Sequence, residues 1–282
     1  MKVKKSEKSV WPISGLVLAA AAALIAGVAQ PAVAQEPAQP RSAEPAPQET
    51  VTPGTTRVNR VPLVNLSSDK WGIIGRNTYG SPNAVFRDGP WGRTSATFPA
   101  TQSPPYGDGS LGLIVDTGEK IAFGNETNFA GQRLSSIDIL RYWVFAGTDN
   151  ISSVVLPNIT IEADPNVGTS NYTSLVYQPD QSTSPSAPAT PTANVWQRYD
   201  ATAAGNRWWA TGSTGTTIGC TQATPCTFQE LKARMPNAVI SYSLGISKGR
   251  DTAFVGAVDG LQVNRVVYDF EFSGVRTRIA PR

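Results

Sequence analysis

The chain has 282 residues, of which 16% are charged and 40% apolar, and it contains 25 glycines and 22 prolines. This composition is typical of a globular protein rich in turns, and it argues against a helical bundle or a coiled coil. There is no histidine. Ser-His-Asp and Cys-His nucleophiles, histidine-ligated metals and imidazole acid–base catalysis are therefore excluded.

The first 34 residues have the features of a secretory signal peptide. Four lysines precede an apolar run over residues 13–29, and the small residues at 32 and 34 suit a signal peptidase. The alternative is an uncleaved anchor, because about 17 apolar residues are near the minimum that crosses a bilayer. We expect cleavage after Ala34, which places the protein outside the cell or at its surface.

Removal of the leader also changes the charge balance. Without its four lysines and one glutamate, the remaining chain has as many acidic as basic residues. A neutral chain with no basic run lacks the charge that attracts phosphate backbones, so we expect no nucleic-acid partner. No second apolar stretch is long enough to span a membrane.

Three further segments follow the leader. Residues 35–60 hold five prolines and almost no large apolar side chain, which predicts a disordered Pro-rich spacer. Residues 61–275 have a length that suits one β-sandwich domain. Residues 276–282 are predicted to be a loose C-terminal tail.

The domain contains ten short β-rich runs bounded by Gly, Pro, Asn and Asp, and each predicts a strand. An all-β fold follows, with two packed antiparallel sheets in a β-sandwich. One segment, residues 227–235, instead predicts a short helix, because Thr227 is a good N-cap and Glu230 follows three residues later. The predicted strands cover residues 111–115, 120–123, 139–145, 159–162, 174–177, 195–199, 207–210, 238–246, 254–263 and 266–272.

Two features lie between these elements. Residues 178–194 are rich in Pro, Ser and Thr and lack aromatic side chains, which favours a mobile loop over a functional one. The two cysteines, Cys220 and Cys226, are separated by five residues. In an exported chain they predict a local disulfide, since two thiols without histidine cannot complete a four-ligand zinc site.

Six motifs of the domain are PPYGDGSLGLIV, FAGQRLSSIDILRYWVF, VWQRYDATAAGNRWW, FQELKARMPNAVI, SLGISKG and FVGAVDGLQVNRVVYDFEF. Together they resemble a group of exported bacterial β-sandwich domains, mostly uncharacterised, with the jelly-roll of concanavalin A-like lectins and glucanases. The resemblance covers nearly all of residues 69–272 and implies a jelly-roll domain of a secreted or surface protein. That group often carries an acidic calcium-type loop after the strand at 159–162; here Asp164 and Asn166 match it, but further carboxylates are missing.

Aromatic side chains are the candidate ligand-binding residues, because flat rings complement the apolar C–H faces of sugars. We expect Trp143 and Trp196 to lie in the core, since both fall inside strand patterns. Adjacent residues of a strand point to opposite faces, so one of Trp208 and Trp209 is expected outside. The candidate platform, with its polar partners, is Trp91, Tyr106, Trp208 and Trp209 with Asn206 and Arg207. The alternative is that these side chains cap the ends of the sandwich.

The best candidates for a metal site are Asp259, Asp269 and Glu271, near the end of the last predicted strands. Carboxylates of this kind hold structural calcium. The alternative is ordinary surface acids. We expect no cofactor beyond such a calcium ion.

Catalysis without histidine would depend on paired carboxylates, as in glycoside hydrolysis. The pair Glu162 and Asp164 has the spacing of a glucanase run, but Val167 stands where the acid–base partner belongs. We therefore do not expect an enzyme. The sequence predicts a secreted or cell-surface, non-catalytic module that binds carbohydrate or a cell-envelope polymer. The alternatives are a structural or adhesive surface protein without a small ligand, and a carboxylate-only glycoside hydrolase.

Overall fold

Thirteen β-strands and two short α-helices form the part of the chain that a computed structural model describes, residues 70–88, 102–147 and 156–281. All of these residues belong to one unit, Asn59–Arg282. The predicted leader, the predicted spacer and Trp91 lie outside the described residues. None of the described helices has the length and apolar character needed to cross a membrane.

The elements follow one another in a β-rich order with both α-helices between the ninth and tenth strands. The strands are β1 Trp71–Ile73, β2 Asn83–Asp88, β3 Gly109–Val115, β4 Ile121–Asn125, β5 Leu140–Ala146, β6 Asn158–Asp164, β7 Thr173–Tyr177, β8 Trp196–Asp200, β9 Trp208–Ala210, β10 Val239–Lys248, β11 Phe254–Val263, β12 Val266–Glu271 and β13 Gly274–Ile279. The helices are α1 Gly212–Ile218 and α2 Phe228–Arg234.

These strands form two antiparallel sheets, which confirms the predicted all-β sandwich. The six-stranded sheet has the order β1-β4-β10-β6-β7-β9. In the seven-stranded sheet the long β11 pairs on one side with β5, and β5 pairs with β8. On its other side the first half of β11 pairs with β3 and the second half with β12. Strand β3 then pairs with β2, and β12 pairs with β13. Both sheets contribute alternate apolar side chains to one buried core, among them Ile159, Ile161, Leu244, Val258 and Leu261.

All ten predicted strands are present, and three strands, β1, β2 and β13, were not predicted. The prediction of a loose tail from residue 276 is wrong as far as Ile279, because β13 pairs along its length with β12. Val275 is buried, and Arg278 Nε donates to Asp269 Oδ2 at 2.7 Å. These contacts fix a segment whose charged sequence gives little strand signal.

The predicted helix at 227–235 is confirmed as α2. The capping box is complete: the Thr227 hydroxyl accepts from the Glu230 amide at 3.1 Å, and the Glu230 carboxylate accepts from the Thr227 amide at 2.7 Å. Helix α1 was not predicted, because Gly, Ser and Thr dominate its sequence and have low helix propensity.

The segment 178–194 is held in place, so the prediction of a mobile loop is wrong. Ser186 is fully buried, and the Tyr177 hydroxyl lies 2.9 Å from its side-chain oxygen. The Thr183 amide donates to the Gly205 carbonyl at 3.0 Å. Small polar side chains here satisfy buried backbone groups, which composition alone does not reveal.

Candidate binding groove

A groove with a cavity volume of about 400 Å³ opens on the outer face of the six-stranded sheet. Strand alternation builds its floor: β6 sends Ile159 and Ile161 into the core and turns Asn158 and Thr160 toward the groove. Hydroxyl, amide and charged side chains therefore line the groove on a sheet whose other face is apolar. The floor residues are Lys120, Asn158, Thr160, Ser174, Val176, Trp209 and Ser247.

One row of residues crosses all six strands on this outer face. In register it reads Gly72, Gly124, Gly245, Thr160, Val176, Trp209. A Cβ atom on Gly245 would lie 2.2 Å from the Phe123 carbonyl oxygen, so the close approach of β10 to β4 requires glycine. Side-chain size increases along the row, from three glycines at one end to the large ring of Trp209, which lines the groove, at the other.

The two adjacent tryptophans of β9 point to opposite sides of the sheet, as predicted. Trp208 is fully buried, and its indole nitrogen donates to the Ala201 carbonyl at 2.7 Å. Its ring packs 5.6 Å from Tyr177 and 5.0 Å from Phe228. Trp209 is partly exposed and lines the groove. The prediction that Trp208 binds ligand is therefore wrong, because strand alternation places its side chain in the core.

The other predicted platform residues do not gather around Trp209. Asn206 is buried, and its side-chain oxygen accepts from the Phe228 amide at 2.7 Å, so it anchors the start of α2. Arg207 is not among the groove residues, and its guanidinium approaches the Asn206 carbonyl at 3.5 Å. The ring of Tyr106 covers Gly260 in the seven-stranded sheet. Of the three platform aromatics that the structure describes, only Trp209 lines the groove, and Trp91 lies outside the described residues.

The expected core position of Trp143 and Trp196 is also wrong. Both side chains are partly exposed and stay outside the buried cluster. Trp196 pairs in register with Phe145 on the outer side of the seven-stranded sheet. Both rings lie on the face of the sheet that solvent reaches. The strand pattern predicted the two strands correctly but did not specify which of their faces is buried.

The walls of the groove come from three segments that the sequence did not mark as a site. The first is the loop after β7, whose residues Gln178 to Gln181 face the cavity. The second is the disulfide loop, which contributes Gln222. The third is Gly249 to Asp251, after β10. The only sequence signal for the first wall was its single charge, Asp180, in a segment otherwise rich in small residues.

The predicted disulfide is present between Cys220 and Cys226. Its loop extends the six-stranded sheet beyond β9. The Trp208 amide donates to the Cys226 carbonyl at 2.7 Å, and the Ala210 amide donates to the Cys220 carbonyl at 2.9 Å. The crosslink therefore holds the strand that carries Trp209.

Charged side chains lie at two places along the groove. Lys120 is partly buried, and burial together with the nearby charge of Arg250 lowers the pKa of its ammonium. On another side, burial raises the pKa of Asp180, and the neighbouring Asp251 raises it further. Asp251 accepts from the fully buried ammonium of Lys248 at 2.6 Å.

Beyond Thr160 on the same face, Glu162 is the centre of a polar network. Its carboxylate accepts hydrogen bonds from Arg76, from Asn77 and Tyr172 at 2.7 Å each, and from Ser243. Burial by itself would raise the pKa of Glu162, but the hydrogen bonds from Arg76, Ser243 and Tyr172 outweigh it and lower that pKa. Glu162 is thus an ionised, fully partnered carboxylate with a structural role.

The three predicted metal ligands are buried, so the alternative of ordinary surface acids is wrong. Burial, more than the charge of Asp269, raises the pKa of Asp259 well above its ordinary value. The guanidinium of Arg278 pairs with Asp269 at 2.7 Å and lies 3.8 Å from Glu271. Within the described residues, no group of three Asp, Glu or Cys side chains is placed to hold a metal ion. Calcium at these residues stays a prediction. In the structure the cation beside Asp269 and Glu271 is the guanidinium of Arg278.

Comparison with known proteins gives no match to this chain among protein-family models, curated proteins or solved structures.

Proposed function

We propose that this chain is a non-catalytic, carbohydrate-binding module of the cell surface or the secreted fraction, and that the groove on the six-stranded sheet is its binding site. The observation that carries the proposal is the partly exposed ring of Trp209 in a groove whose lining also includes amide, hydroxyl and charged side chains. The cavity volume of about 400 Å³ falls within the range of small-molecule sites.

The chemistry of the lining suits a sugar. A tryptophan ring offers a flat apolar surface for the C–H face of a pyranose. The amides of Gln178, Gln181, Gln222 and Asn158 supply both donors and acceptors, which is what several hydroxyl groups on one ring require. The expected leader and the disulfide both support a location outside the cytoplasm, where envelope polymers are the available ligands.

The test is a depletion assay of the chain from residue 35 against insoluble polysaccharides and bacterial cell-wall material. The test variant is Trp209→Ala, and the matched control is Trp143→Ala, which removes a partly exposed tryptophan from the other sheet. We expect wild type and control to deplete on the same polymer and Trp209→Ala to lose about tenfold in affinity, as for an anchor residue of an interface. Equal depletion by all three proteins, or none on any polymer, would contradict the proposal.

A glycoside hydrolase is the second candidate, and a specific observation favours it over other enzymes. Asp180, whose pKa is raised, and Asp251 line the same groove. Hydrolases of this type pair a carboxylic acid that keeps its proton with an ionised carboxylate. The measurement is the release of reducing ends from the polymer that binds. We expect no release. If wild type releases reducing ends and Asp180→Asn does not, the function is hydrolysis and not binding alone.

A further inference from the structure

Two cations at one end of the groove have no carboxylate partner among the residues that the structure describes. Lys120 lines the cavity and is partly buried, and among the described residues its ammonium takes part in no hydrogen bond or ion pair. Arg250 also lines the cavity, and its guanidinium lies 4.0 Å from the ring centroid of Tyr79. Stacking on a ring fixes the plane of a guanidinium and leaves its N–H groups free to donate.

The backbone holds both side chains in place. The amide of Lys120 donates to the Tyr79 carbonyl at 3.0 Å, and the Tyr79 amide donates back at 2.8 Å. The Arg250 carbonyl accepts from the Gly118 amide at 2.9 Å, two residues before Lys120. The two cations are therefore brought together by paired backbone segments, and no anion within residues 70–88, 102–147 and 156–281 lies between them as a hydrogen-bond or ion-pair partner.

The acids of the groove do not neutralise this pair. Asp251 is engaged by the buried ammonium of Lys248. Asp180 interacts electrostatically with Asp251 and Lys248, and its raised pKa reflects a site that disfavours its charge. The nearby charges that act on Lys120 are those of Arg250 and Glu162, and Glu162 is already saturated by its own partners. Two adjacent cations in a partly buried groove repel each other, and an anion that binds between them offsets this repulsion.

We infer that the groove binds an anionic saccharide, whose carboxylate or ester-linked sulfate lies between Lys120 and Arg250 while a sugar ring packs on Trp209. This inference rests on the proposed function and names the class of polymer. A planar carboxylate or a tetrahedral sulfate can accept from both cations at once, since Arg presents a fork of donors and Lys a mobile point charge.

The test measures affinity for three soluble polymers by affinity electrophoresis: polygalacturonate, which carries carboxylates, dextran sulfate, which carries sulfate esters, and neutral dextran. The variants are Lys120→Met and Arg250→Met, which keep side-chain length and remove the charge. The matched control is Lys70→Met, an exposed lysine that does not line the groove. Melting temperatures establish that each variant is folded.

We expect tight binding to one of the charged polymers, a loss of about tenfold in each groove variant and no change in the control. Salt should weaken wild-type binding, because screening reduces the attraction between charges. Which charged polymer binds identifies the anion. Dextran binding that equals that of the charged polymers, or groove variants that bind like wild type, would overturn the inference. If dextran binds equally well and its binding requires Trp209, the proposed function stands and the inference of an anionic ligand fails. If no polymer binds, the proposed function and this inference both fail.

Discussion

The outer faces of the two sheets are built by the same strand alternation but carry different residues. The six-stranded sheet turns Trp209, hydroxyls, amides and the network of Glu162 outward. The seven-stranded sheet exposes Val85, Ile114 and Val255, each about half accessible to solvent. A groove with directional polar groups around one ring can select a ligand, whereas the apolar patch of Val85, Ile114 and Val255 offers area without direction. This difference supports the proposal that ligand binds on the six-stranded sheet.

The largest expected effect is on stability and concerns Glu162. Replacement by Ala leaves the Asn77 amide and the buried Ser243 hydroxyl without their acceptor and removes one of the two carboxylates that bind Arg76, so the free energy of unfolding should fall by about 3 kcal/mol. Ile114→Ser on the other sheet, where the side chain is half exposed, should change it by less than about 0.5 kcal/mol. Urea unfolding of both variants measures the two losses in the free energy of unfolding. Equal losses would contradict the structural role of the Glu162 network.

The disulfide comes next. Cys220→Ser with Cys226→Ser should lower the free energy of unfolding by about 2 kcal/mol, because the crosslink closes only a short loop. Ligand affinity should fall as well, since the loop carries Gln222 and pairs with the strand of Trp209. Thermal unfolding and polymer depletion, with and without reductant, measure both effects in wild type. Unchanged depletion after reduction would separate the disulfide from the groove.

A smaller effect is expected from pH. The lowered pKa of Glu162 means that its ionised form is favoured by folding, so its stabilisation is fully present above the ordinary glutamate pKa of about 4.3. That stabilisation is lost as pH falls through the lowered, folded-state pKa. The stability difference between wild type and Glu162→Gln should therefore shrink in acid. A difference that stays constant from neutral pH down to acid unfolding would contradict an ionised Glu162.

Much of the fold was predictable because it depends on local patterns. Alternation within β-rich runs located ten strands, and the Thr227 capping box located α2. Strand β13 escaped prediction because its fixed position depends on pairing with β12 and on the distant ion pair of Arg278. For the same reason Asp269 is buried against Arg278 and is not an ordinary surface acid.

The site was less predictable than the fold. Adjacent Trp208 and Trp209 showed that one ring faces outward, but the sequence did not specify which. The groove also depends on Lys120, Asp180 and Arg250, which are far apart in sequence and meet only through sheet pairing and a fixed loop. Such juxtapositions are set by register between distant strands, which a single sequence does not encode locally.

The most direct test of the central claim is hydroxyl-radical footprinting of the chain with and without the polymer that it depletes. The assignment of binding to the six-stranded sheet predicts that the polymer protects Trp209 and Val176 and leaves Ile114 and Val85 as reactive as before. Protection confined to Ile114 and Val85 would contradict it and favour a structural or adhesive role for the other face.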